Sequence, residues 1–310
     1  MPHQNPLLPI LLALILTTTA VHAEELISEA LLADIRQSSF AYHEKLRNYD
    51  CTYTEILRSD QRNLNQESTK RLVEDSLGQI RMESDIRQLD SDGNVTVASK
   101  TLYIYDLRKE IRCQFPRPGD TKTPRNITIT RRSTIARMIQ PKSFFTASGR
   151  PFYELIDILI ATKVPIYGKN AKLDDYPGTL VEFSYDEILG PGDILHHEYL
   201  LNMGEHFFPM RQVTFFNKKR FLVLQPSPQL VYPGILFPIE GTKITYNVAS
   251  EKNELTSITN MSVSAISINT DIPPNTFSFD INLEDNVTDL RTPAEPTPKG
   301  PAQLENAPIG

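Results

Sequence analysis

The stretch LRNYDCTYTEILR, residues 46–58, marks a change in hydrophobic period. Residues 24–48 contain no Gly or Pro and place apolar residues at helical spacing among charged ones, namely Leu26, Ile27, Ala30, Leu31, Ile35 and Leu46. That pattern is typical of an amphipathic helix. From Tyr49 onward apolar and polar residues alternate, which indicates a strand. This part of the chain is therefore predicted to be a helix followed by a strand.

Most of the remaining chain also has a period of two. Residues 80–87 alternate, LDSDGN supplies an Asp-Gly turn, and VTVASKTLYIYD and KEIRCQF follow, as expected for antiparallel hairpins. The helical period returns between residues 132 and 163, where Pro141 ends a short helix, RSTIARMIQ, and Pro151 opens a second one. Seven more strands are predicted after it: TLVEFSY, ILHHEYLLN, FPMRQVTFF, FLVLQ, GTKITYNV, LTSITNMSVSAISI and FSFDINL.

The last of these strands lies in INTDIPPNTFSFDINLEDN, residues 268–286. After Pro273 and Pro274 the chain alternates strictly, with the apolar side formed by Phe277, Phe279, Ile281 and Leu283. The pattern predicts a strand with one apolar face.

A sheet of this many strands has to curl, and its apolar face has to be covered. The sequence therefore predicts an α+β fold, in which a curved antiparallel sheet, an unclosed β-barrel, wraps around a few lid helices. The inner face of such a sheet is either filled with side chains or encloses a cavity.

The two ends of the chain have different compositions from the rest. Residues 6–21 are an apolar run followed by the small-residue pattern Val21-His22-Ala23, which predicts a signal peptide, 1–23, and export to the periplasm or the extracellular space. An uncleaved N-terminal anchor is the alternative. Residues 291–310 are rich in proline and predict a disordered tail. The folded domain is thus expected over residues 24–290.

The charge of the chain excludes some classes of partner. The formal net charge is -6, and the basic residues are not clustered, which argues against nucleic acid and against an electrostatic grip on anionic membranes.

The two cysteines, Cys51 and Cys113, have two interpretations. A disulfide that closes a long loop suits an exported protein. Two buried free thiols are the alternative, because one pair of cysteines has no diagnostic spacing.

The sequence contains no recognisable catalytic or metal-binding motif. His196 and His197 are neighbours on a predicted strand and point to opposite faces, so they do not bind one metal ion together. The nucleotide and hydrolase motifs GxSxG, GxGxxG before a helix, the P-loop and HExxH do not occur. We predict no enzyme activity, no metal and no cofactor.

A binding function is the remaining prediction. Large side chains on the predicted inner face and the lid helix are the candidate ligand-binding residues: Tyr103, Phe115, Phe152, Leu155, Phe183, Tyr246, Phe277 and Phe279. The apolar segment LVYPGILFP, residues 230–238, is interrupted by proline and is predicted to be a loop. Its residues Tyr232, Leu236 and Phe237 form either a flap at the cavity mouth or a patch for a membrane or protein partner, or the loop tucks back over the sheet.

The layout resembles the periplasmic lipoprotein carriers of the LolA/LolB type. The resemblance rests on the helix before NYDCTYTEI, the hairpin IYDLRKEIRCQFPRP, the helix PFYELIDILI, the strand FPMRQVTFF and the closing INTDIPPNTFSFDI. It implies an exported protein that binds a lipid or an acylated lipoprotein, as carrier or sensor, in a hydrophobic cavity without covalent chemistry. The layout also resembles anti-sigma-factor regulators, which implies the alternative of a regulatory or scaffold protein with a filled core and a protein partner.

Overall fold

The computed structural model describes residues 25–59, 61, 63–106, 109–117, 119–120, 123–131, 151–171, 178–203 and 207–291. Within these ranges the chain forms two helices, α1 (Glu29–Lys45) and α2 (Phe152–Ala161). The strands are β1 (Tyr49–Ser59), β2 (Leu64–Glu74), β3 (Ile80–Leu89), β4 (Val95–Tyr105), β5 (Lys109–Gln114), β6 (Asn126–Arg131), β7 (Ile166–Ala171), β8 (Leu180–Gly190), β9 (Asp193–Asn202), β10 (Phe208–Phe216), β11 (Lys219–Tyr232), β12 (Ile235–Tyr246), β13 (Leu255–Ile268) and β14 (Asn286–Asp289).

All of these strands belong to one sheet. Its order is β14-β6-β5-β4-β3-β2-β1-β13-β12-β11-β10-β9-β8-β7, and every pair is antiparallel except β14 with β6. In the described part of the chain the end strands β14 and β7 do not pair with each other, so the sheet stays open. The predicted α+β fold, an unclosed curved sheet with helices, is therefore confirmed.

The two helices form where the sequence places them. Ser28 caps α1 by accepting a hydrogen bond from the backbone N–H of Leu31 at 3.2 Å. Glu29 in the first turn and Lys45 in the last turn complement the helix dipole. Pro151 precedes α2, as its fixed φ favours. The predicted helix at residues 132–140, the signal peptide and most of the C-terminal tail lie outside the described residues.

The sheet has two apolar faces. We call the face that α1 and α2 cover the inner face and the opposite one the outer face. The large buried cluster lies between the helices and the inner face and includes Ile35 of α1, Phe152 of α2 and Phe183 of β8. A smaller cluster on the outer face is formed by Leu102, Ile104, Ile111, Cys113, Ile127 and Ile129.

The predicted strand at residues 277–283 is wrong. Residues 271–285, which we call the outer segment, are irregular, and Phe277 and Phe279 pack onto the outer cluster. Backbone carbonyls of the outer segment accept hydrogen bonds from arginine side chains instead of from a neighbouring strand. Arg81 donates to the carbonyl oxygen of Thr276 at 3.0 Å, and Arg125 donates to that of Asp280 at 3.2 Å. Turns at Pro273 and Asn275 also interrupt the extended chain.

An ion pair fixes the far end of the outer segment. Arg125 binds the Asp285 carboxylate through two nitrogens at 2.8 and 2.5 Å, and its guanidinium lies 5.2 Å from the centre of the Phe279 ring. This pair lowers the pKa of Asp285. The alternation of the sequence correctly put Phe277 and Phe279 on one side, but that side faces the outer cluster.

The predicted loop at residues 230–238 is also wrong, because the segment is the tip of the β11–β12 hairpin. The strands turn at Pro233-Gly234, where Gly234 has a φ of 75°. Phe237 is fully buried and its ring contacts that of Tyr49 at 5.3 Å, whereas Tyr232 is exposed. Proline is tolerated here because β-bulges interrupt the ladder on β11.

The predicted disulfide is wrong as well. Cys51 and Cys113 are both free and buried. Cys51 lies in the inner cluster on β1 and Cys113 in the outer cluster on β5, with β2, β3 and β4 between them. Strands spaced about 4.8 Å apart separate the two thiols by roughly 19 Å, well beyond the span of a disulfide.

We expect two titratable thiols per chain in protein denatured without reductant. In the native protein both should react slowly with thiol reagents, because burial raises the pKa of the Cys51 and Cys113 thiols and blocks access. The measurement is thiol titration before and after addition of guanidinium. Absence of titratable thiols in the denatured, unreduced protein would contradict the assignment.

Candidate ligand-binding face

The inner face beneath α2 is an aromatic pocket. The Phe152 ring lies 5.1 Å from that of Phe183, 5.0 Å from that of Tyr199 and 5.9 Å from that of Phe207, mostly edge to face. All four rings are buried. Such contacts add about 0.5–1.5 kcal/mol per pair to the burial of the rings. A side chain of α2 therefore occupies the apolar site that the sequence predicted on this face.

Three more residues of α2 contribute to the same contact. Leu155, Ile156 and Leu159 are buried against the inner cluster. The inner face beneath α2 is consequently filled by the helix's own side chains in this conformation.

The predicted ligand-binding residues divide between the two faces. Phe152, Leu155 and Phe183 lie in the inner cluster, and the half-buried Tyr103 packs against it. The prediction that the other four line the same face is wrong. Phe115, Phe277 and Phe279 pack on the outer cluster, and Tyr246 lies in neither cluster, with the Arg220 guanidinium 5.8 Å from its ring centre.

An ion pair on the surface joins the two helices. Arg36 of α1 donates to both carboxylate oxygens of Asp157 of α2 at 2.6 and 2.9 Å, and both side chains are about half exposed. Beneath it, the backbone N–H of Tyr153 donates to the buried Ser39 hydroxyl at 3.0 Å. The helices are thus joined by these polar contacts and by the Tyr153 ring, which lies 5.4 Å from that of Phe40, while α2 meets the sheet through apolar side chains.

Helix α1 has its own attachment to the sheet. The buried Tyr42 hydroxyl donates to the carbonyl oxygen of Leu236 at 2.7 Å, at the tip of the β11–β12 hairpin. Burial raises the pKa of Tyr42, so it remains a neutral donor. Of the residues predicted as a mouth or partner loop, Leu236 therefore supports α1, Phe237 is buried against Tyr49 of β1, and Tyr232 remains exposed at the hairpin tip.

A chain of polar side chains runs along the inner face beside the aromatic pocket. Gln212 donates through Nε2 to the Thr214 hydroxyl at 3.2 Å, Thr214 Oγ1 lies 3.1 Å from His197 Nδ1, and His197 Nε2 lies 3.2 Å from a Glu187 carboxylate oxygen. Gln212, Thr214 and His197 are buried, and Glu187 is exposed. The pKa of His197 is lowered overall, because the effect of burial is larger than the opposing effect of the adjacent Glu187 carboxylate.

The sequence reasoning missed this polar chain. It correctly put His196 and His197 on opposite faces: His197 stacks on Tyr185 of the inner cluster at 4.7 Å, and His196 bonds Asp186 at 2.8 Å. No group of three or more metal-ligating side chains occurs among the described residues. One feature of the sequence could have indicated this polar chain: Gln212 and Thr214 lie two residues apart on a predicted strand and so share a face.

A hollow open to solvent lies at the edge of the helix cover. It has a volume of about 360 Å³ and lies between α1 and the β7–β8 edge of the sheet. Its walls mix apolar side chains such as Leu31 and Met203 with polar ones such as Asp34 and Asn170. Such a mixed surface does not match an acyl chain.

Comparison with known proteins gives a distant likeness only. No model of a known protein family and no curated protein sequence matches the chain. Among solved structures, it is similar to a domain from Vibrio parahaemolyticus that is named for outer membrane lipoprotein sorting, with 13% identity over 80% of this chain and 95% of that one, and a TM-score of 0.45.

Two other solved structures have similar scores. A LolA superfamily protein from Nitrosomonas europaea is 9% identical over 79% of this chain and 98% of its own, with a TM-score of 0.43. A DUF1329 family protein from Desulfovibrio piger is 8% identical over 80% and 96%, with a TM-score of 0.40. Likenesses of this size carry no inference about ligand or activity, so the chemistry of this chain has to come from its own residues.

Neither helix in the described ranges has the length and apolar composition needed to cross a membrane.

We expect Asp157→Asn to weaken the attachment of α2 to α1 and lower the stability of the protein slightly at pH 7. Arg36 lowers the pKa of Asp157, so the ion pair stabilises the fold above the ordinary pKa of Asp, about 3.9. The difference between wild type and variant should vanish as the pH falls through the lowered pKa of Asp157. Urea unfolding across a pH series measures it, and a difference that persists in strong acid would exclude the ion pair as its cause.

Proposed function

We propose that the protein is exported and binds a lipid, or the acyl chains of a lipoprotein, on the inner face of its sheet, with α2 as a movable cover. The supporting observation is the Phe152 ring, buried among Phe183, Tyr199 and Phe207. This pocket is apolar and aromatic, and a helix side chain fills it. An acyl chain that displaces α2 takes the place of these side chains.

The energetics set a minimum length for such a ligand. Burial of the four α2 side chains Phe152, Leu155, Ile156 and Leu159 contributes about 10 kcal/mol in total, at about 1.5–3 kcal/mol for each. An acyl methylene contributes about 0.8 kcal/mol on full burial, so about a dozen methylenes replace the lost contact. Long acyl chains therefore displace the helix, and short ones do not.

The attachment of α2 supports its movement as a unit. Its polar contacts with α1 are the exposed Arg36–Asp157 pair, which adds little to stability, and the hydrogen bond from the Tyr153 N–H to Ser39, which adds about 1 kcal/mol. Its contact with the sheet is apolar and is exchanged for ligand contacts of the same kind. In this proposal Tyr103 and Phe183 of the sheet remain ligand-facing residues, Phe152 and Leu155 are the α2 side chains that the ligand displaces, and the residues of the outer cluster take no part.

A second candidate is a regulatory or scaffold protein that keeps this face filled and binds a protein. The observation in its favour is the β11–β12 hairpin tip, where Leu230 is 58% and Tyr232 44% exposed. The two candidates differ in whether lipid enters the inner face.

We expect saturated fatty acids offered in a length series to bind only when they exceed about a dozen carbons, because shorter chains do not replace the burial of α2. The measurement is gentle mass spectrometry of the purified mature protein after incubation with each acid, with solvent extraction of the untreated protein to identify lipid already bound. Binding that increases smoothly from the shortest acid onward would contradict displacement of a helix. A protein that retains no acid at any length would favour the second candidate.

We expect Asp157→Asn to accelerate the uptake of a long acyl chain several-fold, because α2 then separates from α1 more easily. The matched control is Asp50→Asn. Asp50 forms a similar two-point pair with Arg71, at 3.1 and 2.7 Å, on the outer face. Stopped-flow uptake of a fluorescent fatty acid measures the rate. Equal acceleration by both variants would assign the effect to general loosening rather than to the cover.

A further inference from the structure

The hydrogen bonds of the polar chain on the inner face all run in the same donor-to-acceptor direction, from Gln212 toward Glu187. A carboxylate only accepts hydrogen bonds, so the proton of neutral His197 lies on Nε2 and is donated to Glu187. His197 Nδ1 then accepts from the Thr214 hydroxyl, which has a single hydrogen to donate. Thr214 Oγ1 can therefore only accept from Gln212, and this places the amide nitrogen of Gln212 toward Thr214.

At the Gln212 end of this chain, one hydrogen-bond acceptor is left over. The Gln212 side-chain oxygen Oε1 is buried, and in the part of the chain that the structure describes it has no hydrogen-bond partner. A buried polar atom without a partner is costly, and native proteins rarely retain one without a reason. Because Oε1 only accepts, the missing partner is a donor.

Gln212 lies next to the aromatic pocket. It is the cross-strand partner of Tyr199 on β9 and of Leu224 on β11, and both of these belong to the inner cluster. Directly opposed residues have Cβ atoms about 5 Å apart. The Tyr199 ring also contacts that of Phe152, so one residue, Tyr199, separates Gln212 from the site that Phe152 occupies.

We propose that Gln212 Oε1 is the acceptor of a polar subsite for an amphipathic ligand whose end carries a neutral O–H or N–H donor. The inference rests on the proposed function and adds the chemistry of the ligand's polar end. An acyl body replaces the α2 side chains beside Tyr199, and its hydroxyl or amide N–H completes the chain from Gln212 to Glu187. A neutral donor fits better than an ammonium group, because the apolar surroundings of Gln212 penalise a buried charge.

Two matched lipid pairs test the subsite. The first is 1,2-dioleoylglycerol and its 3-O-methyl ether, and the second is N-methyloleamide and N,N-dimethyloleamide. Within each pair the acyl body is the same and only the donor differs. Each lipid is offered to the full mature protein in dioleoylphosphatidylcholine vesicles, and the lipid retained after vesicle removal is quantified by mass spectrometry.

The wild type is expected to retain the donor lipid about ten-fold better than its partner in at least one pair, since a buried acceptor left unpaired costs about that factor. Gln212→Leu should bring the ratio close to one through loss of the donor lipid, with retention of the donor-free lipid unchanged. The control is Gln225→Leu on β11, which follows Leu224 and so lies on the outer face. It should leave the ratio as in the wild type.

The free protein gives a second readout that does not depend on lipid. Gln212→Leu removes the unpartnered oxygen and is expected to raise the midpoint of thermal unfolding by about 2 °C. Because the same change removes the hydrogen bond from Gln212 to Thr214, only a midpoint lowered by more than the roughly 2 °C that this loss accounts for would mean that the oxygen is already satisfied, and it would overturn the subsite.

The remaining outcomes separate the subsite from the proposed function. A ratio close to one in the wild type for both pairs, or an unchanged ratio in Gln212→Leu, overturns the subsite, and a bound water at Oε1 accounts for either result. The proposed binding of acyl chains is not affected by these results. If the wild type retains none of these lipids and no long fatty acid, the proposed function fails and the subsite fails with it.

Discussion

An open sheet with an apolar inner face has to be covered, and in this protein the cover is made by helices that carry the matching side chains. Phe152 is the clearest case, because one ring of α2 contacts Phe183, Tyr199 and Phe207 at once. The curvature of the sheet provides the hollow that the ring fills. The position of α2, the burial of β8 and β9 and the proposed ligand site all depend on this contact.

The two faces of the sheet are covered by different physical means. On the outer face the irregular outer segment is fixed by arginines, with Arg125 bound to the largely buried Asp285 and stacked on Phe279. On the inner face α2 meets the sheet through apolar contacts, and its ion pair to α1 is exposed. The apolar contacts of α2 with the sheet are replaceable by an apolar ligand, whereas the outer segment is held not only by Phe277 and Phe279 but also by arginine contacts that an apolar ligand does not replace. This difference locates the proposed function on the inner face.

The sequence predicted the parts of the fold that depend on local pattern. The helix before Tyr49, the helix after Pro151 and the Asp-Gly turn at Gly93 all form as expected, because capping, proline geometry and positive φ act over a few residues. The alternation at Phe277 and Phe279 misled, because arginines elsewhere in the chain supply donors to the outer segment that a neighbouring strand would otherwise supply. The residues next to Phe277 and Phe279 in the sequence do not indicate that these distant arginines supply the donors.

The site was harder to predict, because alternation tells which residues share a side but not which side faces the helices. Cys113 and Phe115 do share a side, and it is the outer one. On β10 the rule of apolar residues inward fails: Gln212 and Thr214 face the inner cluster, and Val213 lies on the other side. The inner position of these polar residues follows from their pairing with Tyr199 and His197, which only the three-dimensional register supplies.

Displacement of α2 by an acyl chain can be measured by hydrogen exchange of the α2 amides, with and without a bound long-chain fatty acid. Binding is expected to speed exchange in residues 152–161, because the helix leaves its pocket, and to slow exchange in β8 and β9, because the acyl chain covers them. Bound fatty acid that leaves the α2 amides as protected as in the free protein would contradict displacement of the helix.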